Sequence, residues 1–183
     1  FNPGLESRAY NVPAIIGILL LLMCLLLTAL AVVRERELGT LDQLMVGPLT
    51  PGELMLGKTI PVAMIALIDL ALIGTLAVAW FGVPLHGSIF ALVLASCIYI
   101  LAALGLGLFI STISKTQQEA FMSMFLLILP AIVLSGFMYP VHTMPELIQH
   151  LSLLNPVRHF LEVVRGVFLK GYGPADVWVQ VVV

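Results

Sequence analysis

Residues 12–33, VPAIIGILLLLMCLLLTALAVV, contain no charged side chain, and their polarity is limited to Cys24 and Thr28. As a helix rising about 1.5 Å per residue this run reaches roughly 33 Å, enough to cross a hydrocarbon core of about 30 Å. A cleaved signal peptide would be shorter, basic at its front and followed by small residues. The run therefore reads as a true membrane span.

Working outward, three further runs of similar length and apolarity occupy residues 60–81, 89–110 and 120–139. Another begins near Asp176, where Trp178 supplies an interfacial aromatic. The composition agrees, with 61% apolar residues and 10% charged ones, against about a quarter charged in soluble domains. Eight basic and ten acidic side chains leave a net charge of −2, so nucleic-acid binding has no electrostatic footprint. Cys24 and Cys97 each sit inside an apolar run, where thiols act as small hydrophobes rather than as a disulfide framework. No repeat or low-complexity tract divides the chain, which reads as one membrane domain over 1–183. Because it opens on Phe1 and closes on Val181, Val182 and Val183, it is expected to be a piece of a longer protein.

Three connections join the spans: a long polar one from Arg34 to Thr59, a short turn from Gly82 to Ser88, and a short polar one from Ser111 to Glu119. The first and third share a side and hold Arg34, Arg36, Lys58 and Lys115, whereas the second has no Lys or Arg. That asymmetry favours the first side as cytoplasmic, although Arg8, Arg158, Arg165 and Lys170 on the other side equalise the raw count.

Residues 140–174 are neither a span nor an ordinary loop. Glu146 to Leu154 and Val157 to Leu169 are two short amphipathic segments separated by Asn155 and Pro156. In the second, Val157, Phe160, Leu161, Val164, Val167 and Phe168 share a face, while Arg158, Glu162 and Arg165 lie opposite at spacings that let Glu162 pair with either arginine. Such segments suggest a short re-entrant helical hairpin, the alternative being a helix lying on the membrane surface.

Several motifs invite chemistry. Gly52 to Thr59 matches the phosphate-loop pattern G-x-x-x-x-G-K-[ST], but a turn-rich stretch precedes it and a bilayer-length run follows, so the strand and helix that the mechanism needs are missing. Lys58 reads instead as the snorkelling end of the second span. His142, Glu146 and His150 have the spacing of ligands on one helix face, yet Pro145 interrupts them. No catalytic, cofactor-binding or metal-binding residue is assigned. Asp69 is the one charge deep in a span; ionised, it would cost on the order of 3 kcal/mol, so it should face protein or water. It would serve either a substrate or proton step or an interhelical hydrogen bond to Ser, Thr or Tyr. Ala103, Gly107 and Ser111 form a small-residue strip for close helix packing, and Pro130 with Ser135 and Gly136 can bend or loosen the fourth span.

The most informative stretch follows the first span. In Arg34-Glu35-Arg36-Glu37-Leu38-Gly39-Thr40-Leu41-Asp42-Gln43-Leu44-Met45 the residues Leu38, Leu41, Leu44 and Met45 share a face opposite the charges, the pattern of an amphipathic surface helix. Here the sequence resembles the ABC-2 type permeases, membrane subunits of ATP-driven exporters. The resemblance runs through R-E-R-E-x-G-T-L-D-Q-L, Pro48 and Pro51, the L-x-G-K of Leu56 to Lys58, S-G-F-M-Y-P at Ser135 to Pro140, and N-P-V-R-H-F-L-E-V-V-R-G at Asn155 to Gly166. Phe1-Asn2-Pro3 before a span resembles the drug-export-like branch, which has a large extracytoplasmic region between its first two spans.

The resemblance implies an all-α polytopic membrane protein: a helical bundle with a cytoplasmic amphipathic coupling helix and the re-entrant hairpin. It implies a multi-pass permease of the bacterial cytoplasmic (inner) membrane, itself without ATPase activity, exporting drug-like or lipid-like substrate. ATP and magnesium would be held by separate ABC ATPase subunits, and the other partners would be a second permease subunit (a homodimer or a paralogue), a periplasmic adaptor and membrane lipid. Arg34, Glu35, Glu37, Gly39, Thr40, Leu41, Asp42 and Leu44 would couple to the ATPase, and Asn155, Pro156, Arg158, Glu162 and Arg165 would belong to the re-entrant segment. The competing reading is a secondary transporter driven by an ion gradient through Asp69.

Overall fold

The computed structural model describes residues 7–40, 50–80, 82, 87–137 and 144–170, with the side chains of 7–13, 51, 169 and 170 excepted. Six α-helices occupy them: α1 (Ser7–Glu37), α2 (Pro51–Ala79), α3 (Ile89–Ile113), α4 (Gln117–Leu134), α5 (Glu146–Leu153) and α6 (Pro156–Arg165). A π-helical turn, Gly166–Lys170, continues α6. The described residues contain no strand. The first four helices are each long and apolar enough to cross a membrane, over Ala14–Glu37, Gly52–Ala79, Ile89–Ile113 and Gln117–Leu134. The expected span near Asp176 lies outside the described residues.

α1 is the hub of the bundle, packed against α2, α3, α4 and α6. Ile16, Leu20, Leu21, Cys24, Leu25, Thr28 and Val32 are all buried on it, while Ile15 and Leu19 face outward, so the run is apolar all round because one side meets helices and the other is left to lipid. α2 and α4 lie at the edge and bury only stripes, Val62, Ala66 and Leu70 on one, Ala120, Met124 and Ile128 on the other. Many of their other apolar side chains, among them Ile68, Leu72, Leu126 and Leu129, point outward.

Lipid is as apolar as leucine, so helices in a bilayer associate through close packing and hydrogen bonds rather than through water exclusion. The strip Ala103, Gly107, Ser111 supplies the close packing, and all three are buried. A Cβ placed on Gly107 would fall 2.8 Å from Cβ of Thr28, so α1 and α3 cross at a distance only glycine permits. At Gly17 the same test meets Phe160 Cδ1 of α6 at 2.9 Å. The Gly17 carbonyl also accepts a hydrogen bond of 2.8 Å from the buried Tyr99 hydroxyl of α3.

Several element boundaries differ from the sequence expectation, each for a local reason. α2 starts nine residues before the expected span, because Thr50 and Glu53 form a reciprocal capping box with Pro51 at the first helical position. The expected polar connection from Arg34 to Thr59 is thus largely helical at both ends. α4 begins at Gln117 behind Thr116, whose Oγ1 accepts from the Glu119 amide at 3.2 Å. It ends at Leu134 rather than 139, where Gly136 takes φ +77°, the left-handed geometry that commonly stops helices.

α4 is therefore 18 residues long and α3 is 25, a shortfall of seven residues or about 10 Å. The space above its end is taken by α5 and α6. The Asn155 side chain caps α6 by accepting from the Val157 amide at 3.1 Å, and its amide donates to the Ala131 carbonyl in the last turn of α4 at 2.7 Å. From there α6 runs back along α3: Phe160 lies against Tyr99, and the Val167 carbonyl accepts from the Gly87 amide at 2.9 Å, just before α3 begins. Two short helices thus complete the bundle at this end.

Candidate functional site

At the opposite end, the four residues Arg34 to Glu37 form the last turn of α1. The expected amphipathic helix from Arg34 to Met45 is not continuous. Leu38 and Gly39 form a turn in which Gly39 takes φ +71°, a conformation that breaks helical geometry and favours glycine. Gly39 is thus a stop rather than a slim point within a helix, and Leu41, Asp42 and Leu44 lie outside the described residues.

The charges of this turn serve contacts within the chain. Arg36 Nη1 donates to the carbonyls of Ser111, Thr112 and Ser114 at 3.0, 3.3 and 2.7 Å, so a cation caps the negative end of α3. The next residue does the converse: Glu37 Oε2 accepts from the Gln117 side chain at 2.6 Å and its amide at 3.4 Å, placing an anion at the positive end of α4. Glu35 forms an ion pair with Lys58 of α2, and Lys58 Nζ also donates to the Ala31 carbonyl at 3.1 Å. Thr40 Oγ1 donates to the Glu35 carbonyl at 3.2 Å. Arg34, Leu38 and Gly39 are exposed.

The phosphate-loop pattern Gly52 to Thr59 is entirely helical. Its backbone amides lie within α2 rather than in an open cradle, Lys58 is engaged by Glu35, and Thr59 Oγ1 donates to the Met55 carbonyl at 3.0 Å. A helix interior cannot present the ring of free amides that binds phosphate.

Asp69 lies on the border of the α2 stripe that faces α1. It is half-buried, within electrostatic reach of Cys24, and its Oδ2 is buried. The alternative of an interhelical hydrogen bond finds no support at Oδ2, which has no partner among the described residues.

At the hairpin end Pro156 is the first residue of α6 behind Asn155. Glu162 pairs with Arg158, Nε to Oε1 3.3 Å, and Arg158 Nη1 also donates to Ser152 Oγ at 2.5 Å and to the Gln149 carbonyl at 3.3 Å. Arg158 thereby ties α6 to α5. Arg165 reaches instead toward the Gly136 carbonyl at 3.4 Å. Val157, Phe160, Leu161, Val164, Val167 and Phe168 are buried together, so the apolar face is used as its spacing indicates. Pro145 is the N-cap of α5, Glu146 and His150 are exposed on that helix, and His142 lies outside the described residues. Among the described residues no group of three His, Cys, Asp or Glu could hold a metal ion.

Arg36, Gln117, Gly17 and Tyr99 carry key contacts that the sequence alone did not single out. The capping signals Thr50-Pro51-x-Glu53 and Thr116-x-x-Glu119 were present and would have moved two helix starts to their observed positions.

A hub helix, edge helices bearing outward apolar faces and a capped pair of short helices closing one end make an all-helical protein with four candidate membrane spans, and the chain belongs to the ABC-2 type transporter family, whose profile matches residues 3–169. It is similar to the probable multidrug ABC transporter permease YbhR of Escherichia coli (strain K12), 36% identical over 178 residues covering 97% of this chain and 48% of that one. YbhS of the same strain, also a probable multidrug ABC transporter permease, is 34% identical over 182 residues, 99% of this chain and 48% of its own length. The inner membrane transport permease YhhJ of that strain is 34% identical over 182 residues, 98% and 48%. The chain spans about half the length of these curated relatives. No solved structure matches it.

Proposed function

We propose that this chain is part of the membrane-spanning permease subunit of an ATP-driven exporter in the bacterial inner membrane, moving drug-like or lipid-like substrate. The family match across nearly the whole chain carries the reading; the likeness to the probable multidrug permeases YbhR and YbhS supports a drug-like substrate, and the likeness to the inner membrane transport permease YhhJ supports the location. ATP and magnesium belong to separate ATPase subunits. A second permease subunit, identical or paralogous, completes the translocating unit, surrounding lipid covers the outward apolar faces of α2 and α4, and a periplasmic adaptor joins on the far side. The family also favours this reading over ion-gradient coupling through Asp69.

The segment from Arg34 to Leu44 is the ATPase-coupling segment, divided in two. Arg34 and Leu38 offer exposed side chains to the partner, and Leu41, Asp42 and Leu44 follow them in the sequence, in the pattern of apolar anchors flanked by charge. Glu35, Arg36 and Glu37 transmit what is felt there to α2, α3 and α4. At the other end, α5 and α6 form a re-entrant hairpin, supported by Phe160 stacking ten residues into α3.

The test is copurification and transport by the full complex. Leu41→Asp should leave the helices inserted while releasing the ATPase or uncoupling hydrolysis from export. Full ATPase content together with normal export would remove the coupling assignment, and the absence of any ATP-hydrolysing polypeptide from the wild-type complex would remove the exporter reading itself.

A further inference from the structure

The first turns of α2 differ from the rest of that helix. No residue from 52 to 57 is buried, whereas Thr59, Val62, Ala66 and Leu70 all are. The apolar run Gly52–Ala79 has 28 residues, or roughly 42 Å of rise against a hydrocarbon core of about 30 Å, so a length of about two turns is left over. The reciprocal cap between Thr50 and Glu53 keeps that length helical.

Where this arm meets the packed part of α2, the backbone is weakened within a single turn. Pro61 lies inside the helix; it has no amide to donate to the Gly57 carbonyl, and its ring crowds that same carbonyl. Gly57 brings no side chain, and nothing lies within 4 Å of the Cβ position there. Between them Thr59 Oγ1 donates back to the carbonyls of Met55 and Leu56 at 3.0 and 3.3 Å, a bond that competes with the helical ladder and often bends helices.

The fastening to the bundle sits at the same level. Among the described residues, the ion pair and the hydrogen bond that join α2 to another helix both come from Lys58, to Glu35 and to the Ala31 carbonyl. Glu35 answers with one oxygen, since its Oε2 is buried and has no hydrogen-bond partner among the described residues. One partly exposed ion pair is a weak restraint. At the same end Arg36 holds α3 through three carbonyls and Glu37 holds α4 through Gln117.

We propose that residues 57–61 are a hinge, latched by Lys58 on Glu35, about which the arm of residues 51–57 swings while α1, α3 and α4 stay joined. In the sequence, residues 41–49 lead straight from the coupling segment into the arm, so the arm is where a displaced ATPase first moves the bundle. That use of the hinge rests on the coupling assignment made above; the hinge itself rests on α2 and its one fastening.

The test uses the full complex in lipid nanodiscs, with native cysteines replaced and labelled permease diluted by unlabelled. Spin labels are placed at Glu53→Cys on the arm and Gln118→Cys at the exposed start of α4. An arm of seven residues is about 10 Å long, and a swing of about 30° carries its tip about 5 Å. The distance between the labels should change by that much between the nucleotide-free and vanadate-trapped states, while Leu72→Cys paired with Leu126→Cys, beyond the hinge, changes less. Glu35→Gln, which gives up the ion pair, should move the nucleotide-free distance toward the trapped one. Pro61→Ala restores the missing amide and Gly57→Ala meets no neighbour, so both should preserve or raise thermal stability yet lower export about fivefold. The distances decide the matter should either variant fail to fold. An unchanged distance from Glu53 to Gln118, equal changes in the two pairs, or normal export by both alanine variants would overturn the hinge, and no shift with Glu35→Gln would overturn the latch. Normal ATPase content and export in Leu41→Asp would instead remove the coupling assignment and leave the distance changes standing, so the two can fail separately.

Discussion

The ring of Phe160 lies flat on that of Tyr99, centroids 4.1 Å apart and planes 3° from parallel, while the Tyr99 hydroxyl holds the Gly17 carbonyl at 2.8 Å. Three helices thus meet at one point. Tyr99→Phe keeps the stack and loses only the hydrogen bond, so it should cost about 1 kcal/mol or less. Phe160→Ala empties a buried site and should cost about 3 kcal/mol. Thermal unfolding in nanodiscs should rank the two in that order; an equal effect would mean that the hairpin contributes little packing.

Glycine at 107 is a steric requirement, whereas glycine at 105 is not. A Cβ at 107 would collide with Thr28, while nothing lies within 4 Å of one at 105. Gly107→Val should destabilise by about 1–3 kcal/mol through forced separation of α1 and α3. Gly105→Ala should be neutral or stabilising, because alanine is the better helix former. The pair, read by the same unfolding measurement, separates close packing from a general intolerance of change in α3.

Neighbouring charges at the end of α1 act on the two ends of a turn. Glu37→Gln keeps an acceptor for Gln117 and should be mild. Glu37→Lys sets a cation against the positive end of α4 and should lower stability by about 1 kcal/mol while reducing export. Arg36→Ala removes the cap from three carbonyls and should cost at least as much. If Glu37→Lys impairs export at unchanged stability, Glu37 acts on a partner instead of on Gln117.

Cysteines introduced at Phe160 and Val164, which are 3% and 0% exposed, should react slowly with an impermeant thiol reagent added from outside. A cysteine at His86, in the short connection between α2 and α3, provides the reference rate. Equal rates at all three positions would show that the hairpin does not stay packed against α1 and α3.

Asp69→Asn removes the charge but keeps the shape. Folding should be retained, and export should fall only if the carboxylate takes part in the cycle. Normal export by the Asn variant would leave Asp69 a role in helix packing alone.

The four spans were legible because a bilayer imposes length and apolarity together, and no other environment asks for both. The apolar face of α6 was legible for a similar reason, since its 3.6-residue periodicity reports its burial directly. The break at Gly39 was not, because leucines spaced at i, i+3 and i+6 look the same whether or not a left-handed residue interrupts them. Glu35 and Glu37 illustrate a deeper limit: a charge just beyond a span can face a partner or cap another helix, and only the arrival of Lys58 and Gln117 from distant sequence distinguishes the two. Pairing of Glu162 with Arg158 rather than Arg165 was decided in the same way, by Ser152 and the Gln149 carbonyl drawing Arg158 toward α5.

The short α4 gives the hairpin end a different kind of freedom from the rest of the bundle. A full-length span that moves must carry its whole column past its neighbours, disturbing both leaflets at once. Here the outermost stretch above α4 is a separate piece, fastened by the Asn155 bond to Ala131, the stack of Phe160 on Tyr99 and the Val167 bond to Gly87. Yielding those fastenings would swing the piece aside like a shutter while the column beneath it, and the turn gripped by Arg36 and Glu37, stood still.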